Sequence, residues 1–271
     1  MRRPKDGATA ASDAEISLVR VNGIEVSLYQ IVRQLGVADK LDFFSSFARR
    51  ELVRQLAIRE GVVAKPEDIQ QDVDNWRYQY RLERVEDTEA WLVSRGITLG
   101  DVAEDAQARR MEHALSDKIA EGRIQPYFAQ HTLDFDEAEV NWIFHRDKGV
   151  IDEIGLQAIE EGGDFCAMAR EFSQDERTRP AGGYLGRVRR EQLPKGIAAR
   201  LFAASPGELF GPEKAPGGFA LYMLQRNFPA ILDDRVSNEI RDILFSQWLQ
   251  REFQRAEVHY PIWESVKESR E

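Results

Sequence analysis

The chain has 271 residues, of which 31% are charged, and a formal net charge of −10. This acidic balance argues against a broad nucleic-acid-binding or anionic-membrane surface. No apolar run approaches the ~20 residues of a membrane span. The single cysteine, Cys166, excludes an internal disulfide and a cysteine-based metal cluster. A chain of this length can bury a sizeable core and is expected to form two lobes.

The N-terminal residues 1–14 begin with basic residues but contain no apolar segment of the kind found in secretory signals. We therefore expect a disordered tail and a cytoplasmic protein. The dipeptide Asn22-Gly23 follows, between two alternating segments within Ile16–Leu28. It predicts a β-hairpin, because both residues tolerate the positive φ angles of a two-residue turn.

The segment Leu28–His131 is predicted to be helical, because its apolar residues recur at three- and four-residue steps. Gly61 suits a helix end, and Pro66 suits the next helix start. Thr98 and Asp101 form a capping-box pattern with Asp in place of Glu. None of these helices is apolar all round, so they must cover each other's apolar stripes or pack on a partner.

The segment Glu171–Leu224 is punctuated by glycine and proline clusters, which supply the backbone angles of tight turns. Between these clusters lie a predicted helix, Lys195–Ala204, and a predicted strand, Phe219–Leu224. A further strand is predicted at Glu137–Arg146, and helix returns over Arg226–Ala256. The spacing is that of a compact α/β module followed by a helix.

This module contains five motifs in a fixed order. They are FSQD at residues 172–175, GGYLG at 182–186, REQLPKGIAARLF at 190–202, SPGELFGP at 205–212 and GGFALYML at 217–224. In this order and spacing the motifs resemble a parvulin-type peptidyl-prolyl isomerase domain.

Two segments outside the module, VNGIEVS at residues 21–27 and the segment 97–135, resemble SurA-type and PrsA-type foldases. The resemblance implies an α+β fold with a mostly helical N-terminal chaperone-like lobe, residues 15–134. A C-terminal helix within 229–271 would pack back on this lobe and complete it. The inserted parvulin-like domain, residues 135–228, would contain a small antiparallel sheet with flanking helices. Val258–Trp263 is expected to be a strand beside the hairpin.

In that resemblance the helical lobe cradles unfolded polypeptide. Aromatic residues are the candidates for this surface, with ordinary core packing as the alternative for each: Phe43, Phe44, Phe47, Trp76, Tyr78, Tyr80 and Trp91. Tyr78 lies off the apolar stripe that Trp76 and Tyr80 share, and is the better candidate for an exposed contact.

The resemblance also implies the site residues of the isomerase-like module. It assigns a proline slot to Leu185, Val188, Leu193 and Ile197. Ile197 departs from the family, which usually has Phe at this position. Asp175 stands where the family has Cys or Asp, and is the catalytic candidate. Ordinary core packing is the alternative for each apolar residue.

The paired histidines that parvulins usually carry beneath the slot are replaced here by Trp142 and Ala220, which we include among the substrate-binding candidates. The large Trp142 in place of one histidine and the small Ala220 in place of the other is a plausible exchange of side-chain volume. We therefore expect the fold to survive without the polar network of the histidines.

Two classes of function remain open. The chain is either a parvulin-type isomerase and foldase, or a catalytically degenerate parvulin that holds peptide. In the second case it would act as a chaperone, or as a maturation factor for one client enzyme or precursor peptide. Both classes predict an unfolded or extended polypeptide client near proline. We expect no nucleic acid, membrane, cofactor or metal, since the four histidines are scattered. The sequence leaves the oligomeric state open.

A basic cluster, Arg187, Arg189, Arg190 and Lys195, lies beside the predicted slot. It either favours acidic residues before the proline or forms a solvated charged loop; the second is the usual explanation for such a run.

Overall fold

The computed structural model describes residues 16–160 and 162–260. The described residues divide into two compact units: residues 16–119 with 243–260 form the first unit, and those between 120 and 242 form the second. The predicted domains differ from this division at their edges, because residues 120–134 and 229–242 group with the second unit. The predicted disordered tail lies outside the described residues.

The helices are α1 (Leu28–Val37), α2 (Asp42–Arg59), α3 (Pro66–Gln79), α4 (Val85–Val93), α5 (Leu99–Ala120), α6 (Ile124–His131), α7 (Lys148–Glu160), α8 (Phe165–Phe172), α9 (Lys195–Leu201) and α10 (Asp234–Arg255). The strands are β1 (Ser17–Val21), β2 (Ile24–Ser27), β3 (Glu137–His145), β4 (Tyr184–Arg189), β5 (Leu209–Ala215) and β6 (Gly218–Phe228). Within the described residues, no helix has both the length and the apolar character needed to cross a bilayer.

The first unit opens with the predicted hairpin, in which β1 pairs antiparallel with β2. Asn22 and Gly23 have φ of 51° and 84°, the positive pair that a tight two-residue turn requires. The predicted strand at Val258–Trp263 is not formed over residues 258–260, which are irregular, and residues 261–263 lie outside the described residues.

Local signals set the ends of several helices in this unit. Gly61 has φ of 68° just after α2, and Pro66 is the first residue of α3. The capping box before α5 is formed: Thr98 N donates to Asp101 Oδ2 at 2.6 Å, and Asp101 N donates to Thr98 Oγ1 at 3.2 Å.

The core of the first unit joins α2, α5 and the second half of α10. Its buried residues include Val53, Leu56, Ala57, Met111, Leu115, Phe245 and Leu249. An ion pair between Arg59 and Glu252, at 3.1 Å, lies on the same helices. The C-terminal helix therefore completes the helical lobe, and the predicted α+β fold is confirmed.

The second unit contains a four-stranded antiparallel sheet in the order β4-β3-β6-β5. Helices α7 and α8 cover one face, with a core that includes Ile143, Ile151, Ile154, Phe165 and Leu221. Helix α9 covers the other face. Residues on β3 and β6 alternate between the two cores, as pleated strands require. The face covered by α9 holds the residues predicted to form the slot.

Candidate functional site

The predicted slot residues converge on the α9 face of the sheet. One apolar cluster holds Val188, Leu193, Ile197 and Ala220, with Trp142 and Leu185 packed against it. These six residues come from β3, β4, β6, α9 and the turn before α9. The sheet register and the short helix thus bring together residues that lie up to 78 positions apart, since 220 − 142 = 78.

A β-bulge directs Leu185 to this face. Val140 pairs with Gly186 and Asn141 pairs with Tyr184, so Leu185 is the extra residue of β4. Strict alternation would put Leu185 and Val188, three residues apart, on opposite faces of the sheet. Because of the bulge, both contact the same cluster.

Burial separates the six residues into two groups. Ile197 and Ala220 have 0% exposure, and Val188 and Leu193 are also buried. Trp142 and Leu185 are half-buried, as is Phe202, which packs on the same cluster and was not predicted. A ligand can therefore reach Trp142, Leu185 and Phe202 directly. Ile197 and Ala220 lie beneath this surface as core residues and cannot touch a substrate in this conformation.

The pairing of β3 with β6 corrects the expected exchange between Trp142 and Ala220. Trp142 faces Tyr222, with ring centroids 6.2 Å apart, and Ala220 faces Phe144. The two residues that replace the histidines are diagonal neighbours, so no single volume exchange links them. Instead each large aromatic ring has a cross-strand partner on the same face.

The histidine network of the family is absent, as its residues are, but a different polar network lies at this position. The Trp142 indole N–H donates to Thr178 Oγ1 at 2.8 Å and to Asp175 Oδ2 at 3.1 Å. The Thr178 hydroxyl donates to the same Asp175 oxygen at 2.5 Å. Thr178 is buried and was missed from the sequence. An Asp followed three residues later by Thr in a turn is the signal that could have found it.

The Asp175 carboxylate is held in its ionised form. Burial by itself raises the pKa of Asp175. Hydrogen bonds from the Thr178 hydroxyl, the Arg177 backbone amide and the Trp142 indole outweigh it, so the pKa lies below its usual value. The site therefore presents a negative charge beside the Trp142 ring at neutral pH.

Acidification should weaken the second unit through this carboxylate. A pKa lowered by folding contributes stability above the unfolded value, about 3.9 for Asp, and this contribution disappears as the pH falls through the folded pKa. We expect the urea midpoint of the second unit to drop on acidification below about pH 4. The drop should be smaller in Asp175→Asn, and equal drops in both proteins would contradict this assignment.

Gly183 allows the closest backbone approach in the site. Its φ is 79°, and a Cβ added there would lie 2.1 Å from the carbonyl oxygen of Trp142. The Trp142 amide also donates to the Gly183 carbonyl at 2.8 Å. Glycine at this position lets the loop carrying Thr178 dock against β3, and thereby aligns the polar network.

The basic residues of β4 and the next turn are engaged in ion pairs. Arg189 makes two hydrogen bonds to Glu239, one of 2.9 Å, and lies 3.7 Å from Glu137. Arg187 lies 3.6 Å from Glu139, and Arg190 lies 3.6 Å from Asp136. The carboxylates balance these guanidiniums, which favours a structural role over recognition of acidic substrates.

Cys166 has the surroundings of a packing residue rather than of a reactive thiol. Within residues 16–160 and 162–260, no group of three His, Cys, Asp or Glu side chains is arranged to hold a metal ion. Burial, followed by the charge of Asp164, raises the pKa of the Cys166 thiol, so the reactive thiolate is disfavoured. Asn141 Nδ2 lies 3.4 Å from Cys166 Sγ, in keeping with a packing role.

Comparison with known proteins identifies the domain that carries this site. The family model of the PPIC-type PPIase (rotamase) domain matches residues 148–226. The chain carries a parvulin domain. The matched residues hold β4 to β6 and α9, with most of the predicted slot. The model begins after β3, so Trp142 lies outside the matched residues.

The resemblance extends beyond the parvulin domain. The foldase PrsA of Halalkalibacterium halodurans is 23% identical over 229 residues, 80% of this chain and 68% of that protein. PrsA of Caldanaerobacter subterraneus is 26% identical over 108 residues, and the chaperone SurA of Bordetella avium is 33% identical over 98 residues. These two matches cover 40% and 36% of this chain, but only 35% and 19% of the relatives.

A solved structure of PrsA from Bacillus anthracis is 16% identical, with a TM-score of 0.49 over 80% of this chain and 99% of that chain. The family model and the curated relatives together support a parvulin domain within a PrsA- and SurA-like foldase.

Proposed function

We propose that the chain is a foldase that binds extended polypeptide at the α9 face of its parvulin domain and isomerises the peptide bond before proline. The observation that carries the proposal is the ionised Asp175, which lies beside the half-buried Trp142 at the edge of an apolar cluster. The names of the relatives, foldase and chaperone, support polypeptide as the ligand.

The chemistry requires no nucleophile, metal or cofactor. Rotation about a peptide bond faces a barrier of about 18–20 kcal/mol, because the planar amide is stabilised by resonance. In the twisted transition state resonance is lost, and the carbonyl oxygen carries less negative charge. A site that disfavours the planar form more than the twisted form therefore lowers the barrier.

The residues of the site can act in this way. Trp142 and Leu185 offer an apolar surface to the proline ring. The Asp175 carboxylate repels the partly negative carbonyl oxygen of the planar amide more strongly than that of the twisted amide. Thr178 is a positioning residue, because its hydroxyl bonds both Asp175 and Trp142 and so fixes the carboxylate.

The direct test is isomerisation of an Ala-Pro peptide in a protease-coupled assay. We expect slow turnover, below that of parvulins with both histidines, because Trp142 and Ala220 stand in place of the histidine pair beneath the slot. Turnover at the level of those enzymes would contradict our interpretation of the substitutions. An absence of exchange at stoichiometric protein, measured by NMR, would remove the isomerase function.

One observation favours a second function, holding of unfolded clients. The helical unit contains a groove of about 980 Å³ between α2 and α5, and its lining includes the exposed side chains of Phe47, Ile58 and Val63. Apolar surface of this kind suits an unfolded segment. The protein, added in an amount stoichiometric with the client, should then delay the aggregation of several unrelated unfolded clients. If it protects only one client, the dedicated maturation factor is the better description.

A cytoplasmic location is also part of the proposal. A chain with one cysteine does not depend on an oxidising compartment for its stability. Fractionation of cells that express the native gene tests this point.

A further inference from the structure

The first unit contains an aromatic pocket that the proposed isomerase site does not use. It has a volume of about 550 Å³ and lies between α3, α4 and α5. Its aromatic residues are Trp76, Tyr80 and Trp91, with ring centroids 5.1 to 5.6 Å apart. This volume lies within the range of pockets that bind ligands.

The two tryptophans serve two roles at once. Trp76 and Trp91 pack beneath against Val73, Leu92 and Val102, which form a buried cluster. Both rings nevertheless remain half-buried, and Tyr80 is 49% exposed. The core cluster therefore holds the rings in a fixed arrangement while the pocket side stays open, which limits the entropy cost of binding.

The pocket offers unused hydrogen-bond groups next to these rings. Among the described residues, the indole N–H groups of Trp76 and Trp91 and the Tyr80 hydroxyl have no hydrogen-bond partner. Asn75 and Gln79 also line the pocket, one helical turn apart on α3, and their side-chain amides likewise have no partner in that part of the chain. The lining of the pocket thus combines aromatic rings with hydrogen-bond donors.

The charged groups of the lining already have partners. Asp72 binds Arg110 through both oxygens, at 2.5 and 2.7 Å. Asp105 pairs with Arg50 at 2.7 Å and also with Arg109. Asp101 accepts from Thr98 in the capping box. Since the carboxylates are engaged, the complementary occupant is uncharged, apolar in part and rich in hydrogen-bond acceptors.

We propose that this aromatic pocket is a second polypeptide site, which binds a proline-containing segment in the polyproline II conformation. Such a segment has flat apolar rings that stack on Trp and Tyr. Its backbone carbonyls make no internal hydrogen bonds and accept from the indole and amide donors. The site extends the proposed function without resting on it, because it binds proline segments and performs no isomerisation.

The test is binding of an end-capped, uncharged proline-rich peptide to the full chain, followed by tryptophan fluorescence and calorimetry. We expect saturable binding that changes little with added salt, because no ion pair is formed. Tyr80→Ala and Gln79→Ala should each weaken binding about tenfold. Tyr78→Ala is the matched control, since Tyr78 is 65% exposed on the same helix and does not line the pocket.

A second peptide and further variants distinguish this proposal from its alternatives. The peptide with every proline replaced by alanine should bind at least about tenfold more weakly. Equal binding of the two peptides would overturn the proposal, as would unchanged binding in Tyr80→Ala and Gln79→Ala. Preference for an arginine-rich peptide, lost in high salt, would identify a cation site instead. Leu185→Asp, which disrupts the apolar surface of the parvulin site, should retain the binding, and loss in this variant would assign the peptide to the parvulin domain.

Discussion

Replacement of Gly183 by alanine should destabilise the parvulin domain far more than a substitution at an exposed position. The new Cβ would lie 2.1 Å from the Trp142 carbonyl oxygen, and the φ of 79° is one that L-residues rarely adopt. Because both atoms in the clash are fixed by the backbone, β3 or the loop must move. We expect a loss of about 3 to 5 kcal/mol in the free energy of unfolding.

Gly186→Ala is the matched control for this prediction. Gly186 has φ of 90°, but a Cβ there would have no atom within 4 Å. Gly186→Ala should therefore lower the free energy of unfolding by about 1 to 2 kcal/mol, which is the cost of the positive φ angle alone. Urea unfolding followed by circular dichroism compares the two variants. Equal losses in the free energy of unfolding of the two variants would show that the close approach of Gly183 to Trp142 adds nothing to the cost of the Gly183 substitution.

Asp175→Asn should reduce isomerase turnover about a hundredfold while it keeps the fold. The amide has nearly the same shape as the carboxylate and can still accept from Thr178 and Trp142, but it carries no charge. The effect should appear in kcat more than in KM, since the charge acts on the difference between planar and twisted amide. Exchange NMR at high protein concentration measures the rate.

Two changes at Thr178 accompany this prediction. Thr178→Ser keeps the hydroxyl that bonds Asp175 and should retain turnover. Thr178→Val removes this hydroxyl, and its turnover should lie between that of the wild type and that of Asp175→Asn. The valine variant should also raise the pKa of Asp175, because its largest lowering hydrogen bond is gone. If Asp175→Asn turned over at the wild-type rate, the carboxylate would have no part in the reaction.

The helical unit was largely predictable because its signals are local. Gly61, Pro66 and the pair Thr98 and Asp101 each act within one helical turn, so a few neighbouring residues decide where a helix ends or starts. The hairpin at Asn22-Gly23 is predictable for the same reason. Their backbone requirements can be recognised in the sequence without knowledge of tertiary contacts.

The site was only partly predictable because its geometry depends on contacts between distant strands. GGYLG suggested a turn, yet residues 184–189 form a strand whose bulge turns Leu185 inward. The shift in register could not be foreseen from β4 alone. The network of Trp142, Asp175 and Thr178 joins β3 to a loop more than 30 residues later, and the resemblance to parvulins indicated a histidine at 142.

The ion pairs of Arg187, Arg189 and Arg190 bear on how a client could be regulated. A phosphate on a client serine before proline would meet guanidiniums already neutralised by Glu139, Glu239 and Asp136. The formal net charge of −10 adds no attraction for such a phosphate. We therefore expect that phosphorylation of a client next to its proline does not strengthen binding to this domain.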